Sequence, residues 1–116
     1  PLLYLPQTVS FRFTDILRGI VLKNILDNHD LKLGFKSPIA YQDRNAHNYM
    51  KDFESEVSMY LNIKKANSHL SKIKKGKSIC EDLIASYQIL SEIKVVKELE
   101  VDSCKNWVKD LKKLGF

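Results

Sequence analysis

The sequence predicts an α+β protein that is mostly helical, with short extended segments on the N-terminal side followed by three to four packed helices. Three observations predict it. From Thr14 onward, apolar residues recur mostly at spacings of three and four. Before that point, "TVSFRF" alternates Val9, Phe11 and Phe13 with Thr8, Ser10 and Arg12 at period two. Polar or glycine-bearing stops then divide the helical pattern into separate pieces.

In chain order, the phase change at Thr14 predicts an N-cap there and a helix from Thr14 to Asn28. Ile16, Leu17, Ile20, Val21, Ile25 and Leu26 form its stripe, and "DNHD" stops it. Leu31, Leu33 and Phe35 alternate again, and a Ser-Pro turn precedes Ile39 and Tyr41, predicting one or two short strands or extended segments. From Asn45, the residues Tyr49, Met50, Phe53, Val57, Tyr60 and Leu61 trace a second helical stripe that runs on toward Gly76. Ser78 and Glu81 match the capping-box pattern and open a third helix, lined by Ile79, Leu83, Ile84, Tyr87 and Leu90. Asp102 is expected to cap the last helix, with Cys104, Trp107, Val108, Leu111 and Leu114 along it and Gly115 as its stop.

The chain has 116 residues, enough for one core, with 44% hydrophobic and 28% charged residues as in ordinary globular domains. No apolar run approaches the 18 or more residues of a membrane span. "PLLYLP" lacks a basic flank and a cleavage site, so the opening is not a signal peptide, and the chain reads as a piece of something longer. Cys80 and Cys104 have no metal-ligand spacing and fall on helical stripes as buried free thiols.

The net charge of +5 is uneven: residues 1–60 balance, and residues 61–116 carry twelve lysines against seven acids. "NIKKANSHLSKIKKGK" holds six lysines and no acid. Such a run attracts polyanions, but it has no arginine for bidentate contacts and no aromatic for base stacking, so nucleic acid is an unfavoured partner. A small basic helical module docking on nucleic acid or an acidic partner is the competing functional reading.

Candidate chemistry gathers in the first 60 residues. Asp15 lies between Arg12 and Arg18 at the expected start of a helix, where N–H groups and flanking cations would hold a carboxylate charged. It reads either as an acid that accepts a substrate hydroxyl or as a first-turn aspartate in a surface ion pair. "YQDRNAHNYMKDFESE" collects Arg44, Asn45, His47, Asp52 and Glu56, groups suited to sugars, phosphates or a divalent ion, though without any specific metal motif. His29 and His69 read as loop and surface residues. Glycine-rich phosphate loops, D-x-D pairs and nucleophile elbows are all missing.

Together, "LPQTVSFRFTDILRGIVLKNIL" and "YQDRNAHNYMKDFESEVSMYLN" resemble the C-terminal part of STELLO-type glycosyltransferases. The spacing is also similar to that of reversibly glycosylated polypeptides. The resemblance implies the C-terminal part of a GT-A-type α/β nucleotide-sugar transferase, its donor-binding half preceding this chain. It implies an acceptor-side, active-site segment over residues 1–62 and a helical extension over 63–116. It further implies Asp15 as the acceptor-side carboxylate, Arg12, Arg18, Arg44 and Asn45 as substrate or diphosphate contacts, and His47 as a metal ligand. The cofactor implied is a divalent Mn or Mg ion, most of whose ligands lie outside the chain. The partners implied are a nucleotide-sugar donor and a glycan or other acceptor. Plant members of that family are associated with Golgi membranes; nothing in these residues chooses between that location and the cytoplasm.

Overall fold

A computed structural model describes residues 1–43 and 46–116. Four helices make up its regular structure: α1 (Phe11–Asn28), α2 (Tyr49–Leu70), α3 (Ile79–Glu92) and α4 (Leu99–Lys113). Among the described residues there is no strand, so the expected β segments do not form; residues 11–13 are helical, and residues 31–43 lie outside the helices without pairing.

Residues 11–13 belong to α1, because Phe13 extends the stripe Leu17, Val21 and Ile25 back by one turn. Burying Phe13 at the i−4 position outweighs the local β preference of "TVSFRF". Thr14 is therefore interior rather than a cap, and its one hydroxyl hydrogen is shared between the carbonyls of Ser10 (3.3 Å) and Pro6 (3.4 Å). The Leu31–Phe35 alternation also fails to give a strand. A strand needs a partner for its N–H and C=O groups, and none is offered among the described residues. Residues 30–43 lie exposed along the outside.

That crossover is long because α1 and α2 run parallel. Ser10 meets Ser58 near one end (3.3 Å), and Asn28 donates to the Ile73 carbonyl near the other (3.1 Å). The face that α2 buries is Met59, Ala66 and Leu70, with Ile63 packed against the core. The expected stripe of Tyr49, Met50, Phe53, Val57, Tyr60 and Leu61 is exposed instead. Both stripes have helical spacing, and the smaller aliphatic one fits the groove between α1 and α3.

Ser78 caps α3 as expected, accepting from the Glu81 N–H (3.2 Å), while Glu81 reaches back to the Lys77 N–H (3.0 Å). Helix α4 begins earlier than expected, with Glu98 rather than Asp102 at its cap position. Gly115 does end it: its φ of 87° lets Phe116 N–H reach the Leu111 carbonyl (3.1 Å) and its own N–H reach that of Lys112 (3.2 Å). Asp30 and Lys94, also at positive φ, close α1 and α3 in the same six-to-one pattern.

The core is one cluster of Phe13, Leu17, Val21 and Ile25 from α1, Leu83, Tyr87 and Leu90 from α3, and Cys104 and Val108 from α4. His29, expected on the surface, instead packs its Nε2 at 2.9 Å from the buried Asp82, whose other oxygen accepts from the Gly76 N–H at 2.7 Å. A Cβ at Gly76 would fall 2.5 Å from that oxygen, so the turn after α2 needs glycine for space.

The first eight residues are held by a group the sequence reading passed over. Glu100 is 0% exposed. Its carboxylate accepts from Gln7 N–H (3.0 and 2.9 Å), Thr8 N–H (2.7 Å) and the Tyr4 hydroxyl. Tyr4 then packs edge-on against Tyr87, ring centroids 5.0 Å apart. Burial is the main cause raising both phenols well above their ordinary range.

Two predictions arise here. The Tyr87 hydroxyl is buried with no hydrogen-bond partner among the described residues. Tyr87→Phe removes that unpaid desolvation while keeping the ring, so urea unfolding should show unchanged or increased stability, by up to about 1 kcal/mol. Cys104 is buried, and burial pushes its thiol up to about 12 from an ordinary value of 9.0. With the folded value raised, the neutral thiol's stabilisation is complete below the unfolded value and is lost as pH rises toward the folded one. A disulfide reagent at pH 8 should titrate only the half-buried Cys80 quickly, Cys104 reacting at the rate of unfolding.

Candidate functional site

The N-terminal ends of α1 and α2 bring the two distant sequence blocks together on one surface. Arg12, the second residue of α1, pairs with Asp52 Oδ1 on α2 and lies 3.7 Å from Glu56 Oε1. Asp52 and Glu56 are four apart and share a face of α2, so one guanidinium spans both. Asn48 caps α2 by accepting from the Lys51 N–H at 3.2 Å, which fixes where His47 leaves the loop.

His47 Nδ1 is 3.0 Å from Asp52 Oδ2 and 3.2 Å from Arg12 Nη2. A carboxylate oxygen only accepts and a guanidinium only donates, so Nδ1 can serve one of them at a time. The shorter contact favours a proton on Nδ1 directed at Asp52. In the neutral ring this leaves the Nε2 lone pair for a ligand or a proton, the tautomer that a carboxylate enforces on metal-binding histidines. Among the described residues, no three histidine, cysteine or acidic side chains converge to hold a metal ion. His47 thus fits one ligand position and no complete cage.

Asp15 is placed differently from expectation. It is the fifth residue of α1, past the free N–H groups of the first turn, which contains no acid. Nor do its neighbouring arginines clasp it: Arg12 turns to α2, and among the described residues Arg18 forms no ion pair. The carboxylate is exposed, and Oδ1 accepts from the Ile16 N–H at 2.9 Å. Its other oxygen is open to solvent chemistry. Arg44 and Asn45 lie outside the described residues.

Two depressions adjoin on this surface and share Arg12, His47 and Glu56 in their walls. One, of about 560 Å³, holds Asp15 and Arg18 with Phe11, Leu5 and Ile16. The other, of about 470 Å³, is bounded by Tyr49, Phe53 and Asp52. Sequence reasoning missed the Arg12–Asp52–Glu56 bridge because it paired Arg12 with the nearest acid in sequence. The signal was present as the i, i+4 spacing of Asp52 and Glu56.

A family model of STELLO glycosyltransferases matches residues 12–116, nearly the whole chain. The chain belongs to the STELLO glycosyltransferase family. No curated protein and no solved structure matches it. The match begins at Arg12 and takes in Asp15, Arg18, His47, Asp52 and Glu56, each of which lines one or both of the depressions. As a STELLO glycosyltransferase chain it has sugar donors and acceptors as its class of partner. Among the described residues, no helix is long and apolar enough to cross a membrane.

Proposed function

We propose that the chain is the acceptor-side, C-terminal segment of a GT-A-type, nucleotide-sugar-dependent transferase, with its donor-binding half outside these residues. The observation that carries this reading is the convergence of the "FRFTDILRG" and "AHNYMKDFESE" blocks on one surface, with Asp15 exposed and free of any cation partner among the described residues. An exposed carboxylate with no cation partner has the access to accept a hydrogen bond from a hydroxyl.

In the proposed step, the acceptor hydroxyl oxygen forms a bond to the anomeric carbon of the sugar while the bond from that carbon to the diphosphate oxygen breaks. If configuration inverts, Asp15 takes the hydroxyl proton and the diphosphate leaves with the electron pair. If configuration is retained, Asp15 holds the hydroxyl in place, and the hydroxyl proton passes to the departing diphosphate oxygen as that oxygen leaves with the electron pair. Arg18, facing the same depression, carries the charge suited to the leaving diphosphate, and Arg12 fixes α2 and His47 against α1. A divalent Mn or Mg ion would add positive charge beside that diphosphate, with His47 Nε2 as one ligand and the others outside the chain. Arg44 and Asn45 complete the proposed substrate contacts. Residues 1–62 supply this surface, and residues 63–116 the helices behind it.

The test is Asp15→Asn in the complete protein, assayed for sugar transfer and for thermal stability. Lost transfer with an unchanged melting temperature is expected; wild-type transfer would sink the assignment.

A further inference from the structure

Phe11 and Asp15 are four residues apart on α1 and share its outer side, and the Phe11 ring is 92% exposed. Leu5 and Ile16, both exposed, line the same depression and make Phe11 part of an apolar patch rather than a lone surface ring. On α2 the same pattern repeats: Tyr49, 83% exposed, and Phe53 are four apart and border the second depression beside Asp52 and Glu56. Each depression thus pairs an open aromatic face with a carboxylate that can accept hydrogen bonds, Asp15 in the first and Glu56 in the second. Both Asp52 oxygens are already engaged, by Arg12 and His47.

That pairing has a chemical complement. A neutral sugar ring offers a face of C–H groups, which the negative face of an aromatic ring attracts, and a rim of hydroxyl donors, which carboxylates accept. The surface has no surplus cation for an anionic acceptor, since Arg12 is engaged by Asp52 and Glu56 and Arg18 shares its depression with Asp15 and Glu56. A lipid chain would leave those carboxylates desolvated. The two depressions share the wall formed by Arg12, His47 and Glu56, so a chain seated in one continues into the other.

We propose that the acceptor is a neutral glycan of at least two sugar rings, one ring stacked on Phe11 beside Asp15 and the next on Tyr49 and Phe53. The proposal rests on the acceptor-side reading above and adds to it the acceptor's class and its direction across the surface. Phe11 and Tyr49 are contacts that determine specificity, and Asp15 is the group at the reacting hydroxyl.

The experiment uses the complete protein and saturation-transfer NMR with neutral gluco-, manno-, galacto- and xylo-configured methyl glycosides and their trisaccharides. At least one trisaccharide should bind several-fold more tightly than its methyl glycoside. Replacing both Tyr49 and Phe53 by alanine should erase that gain without weakening the methyl glycoside, and Phe11→Ala should weaken both. All three rings are exposed, so the variants keep the fold, which their melting temperatures verify. Binding of no neutral glycan, equal binding of one ring and three, or an unaffected double variant would each overturn the proposal. Asp15→Asn separates the two readings: glycan binding with full transfer activity removes the catalytic role and leaves the glycan surface standing.

Discussion

Replacing Glu100 by alanine should lower the unfolding free energy by about 2–4 kcal/mol, a large share of a small domain's stability. The carboxylate takes three donors, Gln7 N–H, Thr8 N–H and the Tyr4 hydroxyl, in a place water does not reach. Alanine leaves those donors unpaired or frees the first eight residues to find water, and either route costs folded-state energy. The damage then spreads. Tyr4 loses its seat against Tyr87 and Trp107, and Lys97 loses the Thr8 hydroxyl that accepts its N–H at 3.0 Å. Glu100→Gln should cost less, since one oxygen still accepts, but its amide N–H₂ would meet backbone donors. Urea titration of both variants gives the ordering, and amide hydrogen exchange at Gln7 and Thr8 locates it. Equal stability of Glu100→Ala and wild type would mean that the segment is not held through this carboxylate.

Glu100 also shows what was legible in the sequence and what was not. The four helices could be read because Leu17/Val21/Ile25, Leu83/Tyr87/Leu90 and Cys104/Val108 repeat at helical spacing, and because Ser78 and Gly115 have local capping chemistry. With Asp102 expected as the cap, Glu100 fell before the last helix, where nothing local marked it as buried. Yet it stands four before Cys104 and eight before Val108, in phase with the buried stripe, and that phase was the available clue. The two misread regions failed for another reason. Whether "TVSFRF" is strand or helix, and which stripe of α2 is buried, depends on what lies across the contact, which periodicity does not contain. The aromatic stripe of Tyr49, Phe53 and Tyr60 has the helical spacing of a buried face, whereas the interhelical groove takes Met59, Ala66 and Leu70. At the site, the residues were legible and their pairing was not. Asp15 was expected between two arginines, and the fold sends Arg12 to Asp52 and Glu56 across 40 residues or more of sequence.

That altered pairing sharpens the second large expectation. Asp15→Asn should cut sugar transfer by about 10²–10⁴-fold, the range for removing a general base. The substitution is nearly isosteric, keeps an oxygen to accept the Ile16 N–H, and touches no ion pair, so stability should hardly change. Arg12→Gln should behave in the opposite way. It breaks the bridge to Asp52 and Glu56, loosening α1 from α2 near His47, so it should lower both melting temperature and transfer. If the site were merely a set of helix ion pairs, Arg12→Gln would change stability alone and Asp15→Asn would change nothing. A transfer rate that collapses in the stable Asp15 variant is the outcome that only an acceptor-side carboxylate produces.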